Sequence, residues 1–132
     1  PPRSTQGVSS AASDVYKRQS MVCMMAGADF IKTSTGKESI NANLNNSLVM
    51  LRMIREFYQM TGKKIGFKPA GGISTAKTVI EFLILVMEEL GHDWINPKYL
   101  RIGASSLLID IERQLYHFAL GRYANKEKLA IG

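Results

Sequence analysis

KIGFKPAGG, residues 64–72, is the stretch on which the fold turns. Ile65 and Phe67 alternate with Lys64, Gly66 and Lys68. An extended strand therefore carries its apolar pair on one face and its lysines on the other. Pro69 has no N–H to give to a ladder and places the end of the hydrogen-bonded part. Gly71-Gly72 turns the chain, and Ser74 or Thr75 can cap a helix over residues 76–90. That helix presents Val79, Phe82, Leu83 and Val86 on one face and stops at Gly91. A strand feeding a helix through a glycine turn is one unit of a parallel βα repeat.

The same unit recurs on either side. Upstream, DFIKTST (residues 29–35) is β-branched and alternating, and Gly36 ends it. A helix over residues 41–60 follows, with Leu44, Leu48, Leu51, Ile54 and Tyr58 as its stripe and Gly62 as its stop. Downstream of the Trp94–Pro97 connection, which Trp94 is expected to anchor, YLRIGAS (residues 99–105) reads as a third strand. A helix over residues 106–120 then carries Leu107, Ile111, Leu115 and Phe118, with Gly121 behind it. The order is βαβαβα, so the sheet is expected to be parallel.

Parallel strands expect cover on both faces. In the first strand Ile31 faces the helices, while Phe30, Lys32 and Ser34 share the opposite face. A lysine on that face would be a buried charge in a doubly wound sheet, whereas at a barrel mouth it is a functional group. Part of a (β/α)8 barrel is therefore favoured over a Rossmann-like sheet.

Composition bounds the rest. The chain has 132 residues, 45% hydrophobic and 21% charged, with eleven glycines against four prolines. That is a globular profile, and a chain of this size can bury roughly two-thirds of its surface. No run approaches the roughly 18 apolar residues of a bilayer span. A single cysteine, Cys23, excludes an internal disulfide and a multi-cysteine metal cluster. The net charge of +6 comes from scattered residues rather than a basic stripe with interleaved aromatics, which reads as solvated surface. Residues 1–19 are rich in Ser, Ala, Pro and Gly without a sustained period, and are expected to be a disordered tail foreign to the domain. They lack the apolar core of a secretory signal. At Ser20 the character changes to a Met-rich helix end, and residues 125–132 are expected to fray.

Two constellations carry chemistry. Lys32 and Lys68 stand near the carboxyl ends of successive strands, which lie about 4.8 Å apart. Two ammonium groups that close disfavour their doubly charged form, and a neutral amine is what carbinolamine and Schiff-base formation require. Spacing alone leaves solvated strand-end lysines as an alternative. The second constellation is a pair of glycine-bearing turns, Gly71-Gly72 and Gly103-Ala104-Ser105-Ser106, each opening a helix. Backbone N–H groups at such places hold phosphate, and Lys37 can add a point charge. Turns also use glycine for purely conformational reasons.

Three segments, ADFIKTSTGK (residues 28–37), GFKPAGGI (66–73) and RIGASSLL (101–108), resemble the signature segments of the deoxyribose-phosphate aldolase family, in its order and spacing. DIERQ (110–114) and GRYA (121–124) are similar to its eukaryotic-type branch. The resemblance implies a class I aldolase barrel, with residues 20–124 as its C-terminal part and these strands as its sixth to eighth. It implies reversible cleavage of 2-deoxy-D-ribose 5-phosphate into acetaldehyde and D-glyceraldehyde 3-phosphate, in deoxyribonucleoside catabolism. By resemblance Lys32 is the Schiff-base nucleophile and Lys68 the cation that assists it. Gly36, Lys37, Gly71, Gly72, Gly103, Ser105 and Ser106 surround the substrate phosphate. The implied partner is a small phosphorylated sugar, with no nucleic acid, membrane, metal or other cofactor, in a cytoplasmic setting. Homo-oligomerisation of the full-length enzyme is left open.

Two departures stand out. Many family members have an arginine after GGI or GGV where this chain has Ser74. The family's proton-relay aspartate lies on an earlier strand, and Asp29, at the far end of its strand, cannot replace it. The isolated chain is therefore expected to turn over little, and a non-catalytic phosphosugar-binding half-barrel is the alternative. Outside these segments, Cys23 and the methionines read as packing residues. His92 and His117 lack partners at ligand spacing. The run at residues 110–113 reads as a solvated helix face with an Asp110–Arg113 pair.

Overall fold

The computed structural model of the chain describes residues 3–34 and 42–123. Gly36, Lys37 and the fraying expected at residues 125–132 lie outside them. In chain order come α1 (Arg3–Met25), β1 (Phe30–Lys32), α2 (Leu44–Thr61), β2 (Gly66–Lys68), α3 (Ala76–Leu90), a 3-10 turn (His92–Trp94) and α4 (Leu107–Leu120). The strands are parallel, with Phe30 opposite Gly66, Ile31 opposite Phe67 and Lys32 opposite Lys68. The βαβ reading of residues 29–68 is thus borne out, in strands shorter than the stretches that announced them.

The third strand is a correction. Residues 99–105 form no continuous strand; they touch β2 through isolated parallel bridges, Phe67 with Leu100 and Ala70 with Gly103. The cause is Pro69. Phe67 N–H donates to Tyr99 at 2.8 Å, Arg101 N–H to Phe67 at 3.2 Å and Gly103 N–H to Pro69 at 2.9 Å. The rung between them needs an N–H that proline lacks.

Residues 3–19 depart from the disordered tail expected there, since α1 runs unbroken from Arg3 to Met25. Past Pro2 the stretch holds no further proline, Gly7 costs a helix only about 1 kcal/mol, and the inner end has something to pack on. Ser20 and Met24 are buried there, with Tyr16 and Met21 against the core. Tyr16 Oη accepts a hydrogen bond from Asn46 Nδ2 of α2 at 3.0 Å. The helix closes as a Schellman motif: Gly27, at φ 100°, donates to Met24, and Ala28 donates to Cys23. Cys23 itself is exposed, against the packed thiol expected of it.

One core lies between the helices and one sheet face. Leu51, Ile54, Ile65, Phe67 and Val86 have no exposed surface. Asn43 caps α2 through its side chain, and Gly62 at φ 74° ends it. The buried stripe of α2 is Ser47, Met50, Leu51, Met53, Ile54 and Phe57. It is rotated from the expected one, leaving Leu44 and Tyr58 exposed. Met24, Met50 and Met53 pack as expected, whereas Met25, Met60 and Met87 are exposed. Trp94 does anchor its connection. Its Nε1 donates to the Ile65 carbonyl at 2.9 Å, and its ring meets Tyr58 edge-on. On α4 only Leu107 of the expected stripe is buried; Ile111 packs partly, and Leu115 and Phe118 are exposed.

Candidate active site

Alternation along β1 and β2 does what the sequence implied. Ile31 and Phe67 turn into the core, and the lysine that follows each turns the other way. Register then sets Lys32 beside Lys68 on one wall of a cleft of about 590 Å³. Lys32 is exposed and Lys68 half-buried. Ser34, two residues beyond Lys32 on the same face, lines the cleft as well.

Thr33 locks this wall together. Its Oγ1 donates to the Ala70 carbonyl at 2.7 Å and accepts the Ala70 N–H at 2.9 Å. A side chain thus stands in for the next backbone rung of the β1–β2 ladder, holding the end of β1 against the turn after β2. Sequence reading passed over Thr33, whose β-branched type suits a strand for unrelated reasons.

Two glycines keep this face open. A Cβ on Gly66 would overlap the Phe30 ring, which also lies under the Arg101 guanidinium at 4.7 Å. A Cβ on Gly103 would stand 2.6 Å from Ala70 Cβ and 3.3 Å from Lys68 Cε. Glycine at 103 therefore leaves the course of the Lys68 side chain clear.

The far side of the cleft is built from the two glycine turns. Gly71 and Gly72 have φ of 103° and 73°, a conformation that other residues rarely adopt. The Gly71 carbonyl accepts Ala42 N–H at 2.9 Å, which pins the turn to the segment entering α2. Thr75, one of the two candidate caps, holds the Thr78 N–H. Gly71, Gly72, Gly103, Ser105 and Ser106 all line the cleft with Lys32 and Lys68. Ile73, Ser74, Ile102 and Ala104, beside the glycines in sequence, line it too. No carboxylate stands among these described residues, so two cations face two sets of backbone donors. An anion fits that arrangement, with its other end toward the lysines.

Among the described residues no cluster has metal-ligating composition, and no helix is long and apolar enough to cross a membrane. The expected Asp110–Arg113 pair is replaced by a different contact, in which Asp110 Oδ2 accepts the Ala76 N–H at 2.8 Å. Asp110 sits where α4 passes the start of α3, so the nearer unpaired donor is a backbone amide.

Residues 5–110 match the model of the DeoC/LacD family aldolases. Over 111 residues the chain is 63% identical to the deoxyribose-phosphate aldolase of Mus musculus and 62% identical to that of Homo sapiens. Each alignment takes in 84% of this chain and 35% of the relative, so the chain spans about a third of the curated relatives it matches. A Toxoplasma gondii ME49 structure in its apo form, ascribed to the same enzyme, superposes with a TM-score of 0.71 at 25% identity. That superposition covers 80% of this chain and 41% of the other.

Proposed function

The chain belongs to the DeoC/LacD aldolase family, and from that premise we propose that it is the lysine-bearing part of a class I aldolase. The proposed reaction is the reversible cleavage of 2-deoxy-D-ribose 5-phosphate into acetaldehyde and D-glyceraldehyde 3-phosphate. The βα units of residues 29–120 correspond in this reading to the sixth, seventh and eighth of a (β/α)8 barrel. The observation that carries it is the side-by-side register of Lys32 and Lys68 across a cleft from two glycine turns.

In the mechanism Lys32 Nζ adds to the aldehyde carbon of the open-chain sugar. Loss of water from the carbinolamine gives an iminium ion, an electron sink next to the bond that breaks. The C2–C3 bond cleaves as the C3 hydroxyl gives up its proton to a base. Its electron pair moves into an enamine, and D-glyceraldehyde 3-phosphate departs. Protonation of the enamine carbon and hydrolysis release acetaldehyde and restore the Lys32 amine. Lys68 supplies positive charge next to the reacting nitrogen. Gly71, Gly72, Gly103, Ser105 and Ser106 hold the phosphate through backbone and hydroxyl donors, with Gly36 and Lys37 completing the set. Ser74 leaves more of that task to backbone amides than an arginine would.

Lys32→Ala in a full-length enzyme carrying this segment reduces turnover to background in a coupled assay for D-glyceraldehyde 3-phosphate. Retained turnover would refute the assignment. Lys68→Met lowers kcat by about 10²-fold or more, the scale of losing one preorganised electrostatic group. A cleft whose described lining holds no carboxylate to serve as the base favours a second reading, phosphosugar binding without turnover. Calorimetry with a phosphosugar, before and after adding the complementary five βα units, separates the two. Binding with no gain of activity on complementation favours the second.

A further inference from the structure

We infer that Asp110 is a positioning residue for the phosphate-binding end of the cleft, a role that rests on the phosphate reading above. Asp110 lies in the first turn of α4, and its bond to Ala76 N–H reaches the first residue of α3 across 34 positions of sequence. The two helices it joins are those opened by the Gly71-Gly72 and Ser105-Ser106 turns. Ile73, Phe82 and Leu107, from the same two βα turns and helices, form a small buried cluster. Apolar contact sets how close the helices lie but has no direction, so it tolerates sliding. A hydrogen bond of 2.8 Å is directional and fixes the offset between the two helix starts. A phosphate held by both turns needs donors from each at about 2.9 Å, and so depends on that offset.

The carboxylate acts here through its shape and place rather than its charge. A negative charge near an anion site opposes binding, so a role through charge alone would make every neutral variant bind tighter. The roles separate in a titration of inorganic phosphate into the 132-residue chain, followed by amide NMR at Gly71, Gly72, Ser105 and Ser106. Asp110→Asn keeps an acceptor for Ala76 and holds the dissociation constant within about twofold of the parent. Asp110→Ala removes the acceptor, and Asp110→Glu keeps the charge but displaces it by one methylene. Both weaken phosphate by about fivefold or more, the scale of one lost hydrogen bond. The Ala76 amide proton moves upfield in those two variants only.

An Asp110→Glu chain that binds phosphate like the parent overturns the inference, even where Asp110→Ala fails to fold. So does an Asp110→Asn chain that weakens as far as Asp110→Ala. A parent chain that shows no response at the four turn amides sinks the phosphate reading itself, and the role of Asp110 with it.

Discussion

Single atoms decide several features of this chain. Ser47 is fully buried in α2, and its Oγ has no hydrogen-bond partner among the described residues. A buried hydroxyl without a partner costs about 1–3 kcal/mol, so Ser47→Ala raises the thermal midpoint, and a lower midpoint would speak against that accounting. Gly66 works in the opposite sense, because any side chain there meets the Phe30 ring. Gly66→Ala destabilises by about 1–3 kcal/mol, the usual cost of overpacking, measured by urea unfolding. At Gly103 the conflict involves Lys68 Cε and Ala70 Cβ. Gly103→Ala therefore lowers phosphosugar affinity and turnover together, and an unchanged enzyme would show that Lys68 does not need that space. Parity made both lysines and Ser34 legible from sequence. The Thr33 bonds were not, because a side chain that replaces a backbone rung leaves no periodic trace.

At the scale of elements, the glycine stops, the Thr75 cap and the βα order followed from local chemistry. What escaped was set by tertiary contact. The third strand breaks up because Pro69 removes a rung from its neighbour, a property of the pair rather than of residues 99–105. The α2 stripe rotates because α1 and the sheet, not hydrophobicity alone, choose the face that is buried. Helical order in the Ser- and Ala-rich first residues depends on Tyr16, Ser20 and Met24 finding α2 and the core. Two connections are open to test at this scale. Thr33→Val keeps the shape but strands the Ala70 N–H, and it costs about 1–3 kcal/mol in unfolding free energy. Trp94→Ala removes a buried ring and its bond to Ile65, and costs about 3–5 kcal/mol. A loss under 1 kcal/mol in either variant would mean that the connection is held by something else.

Taken whole, the sheet has one face buried in a core and one face that lines the cleft. Helices cover the side of the sheet that bears Ile31 and Phe67, while the side bearing Lys32 and Lys68 opens to a cleft without described carboxylates. Apolar residues remain exposed on the outer helices, with Phe118 at 90%. The surface is thus apolar on the outside of α4 and cationic at the cleft. The cleft sets the Lys32 amine beside Lys68 and opposite the two glycine turns, and in the proposed reading imine formation draws on these groups and so precedes complete turnover. The direct measurement is borohydride reduction of the 132-residue chain in the presence of 2-deoxy-D-ribose 5-phosphate or acetaldehyde, followed by peptide mass mapping. The account predicts one reduced adduct, on Lys32, that is lost in Lys32→Ala; an adduct on Lys68 or another lysine, with Lys32 unmodified, would contradict it.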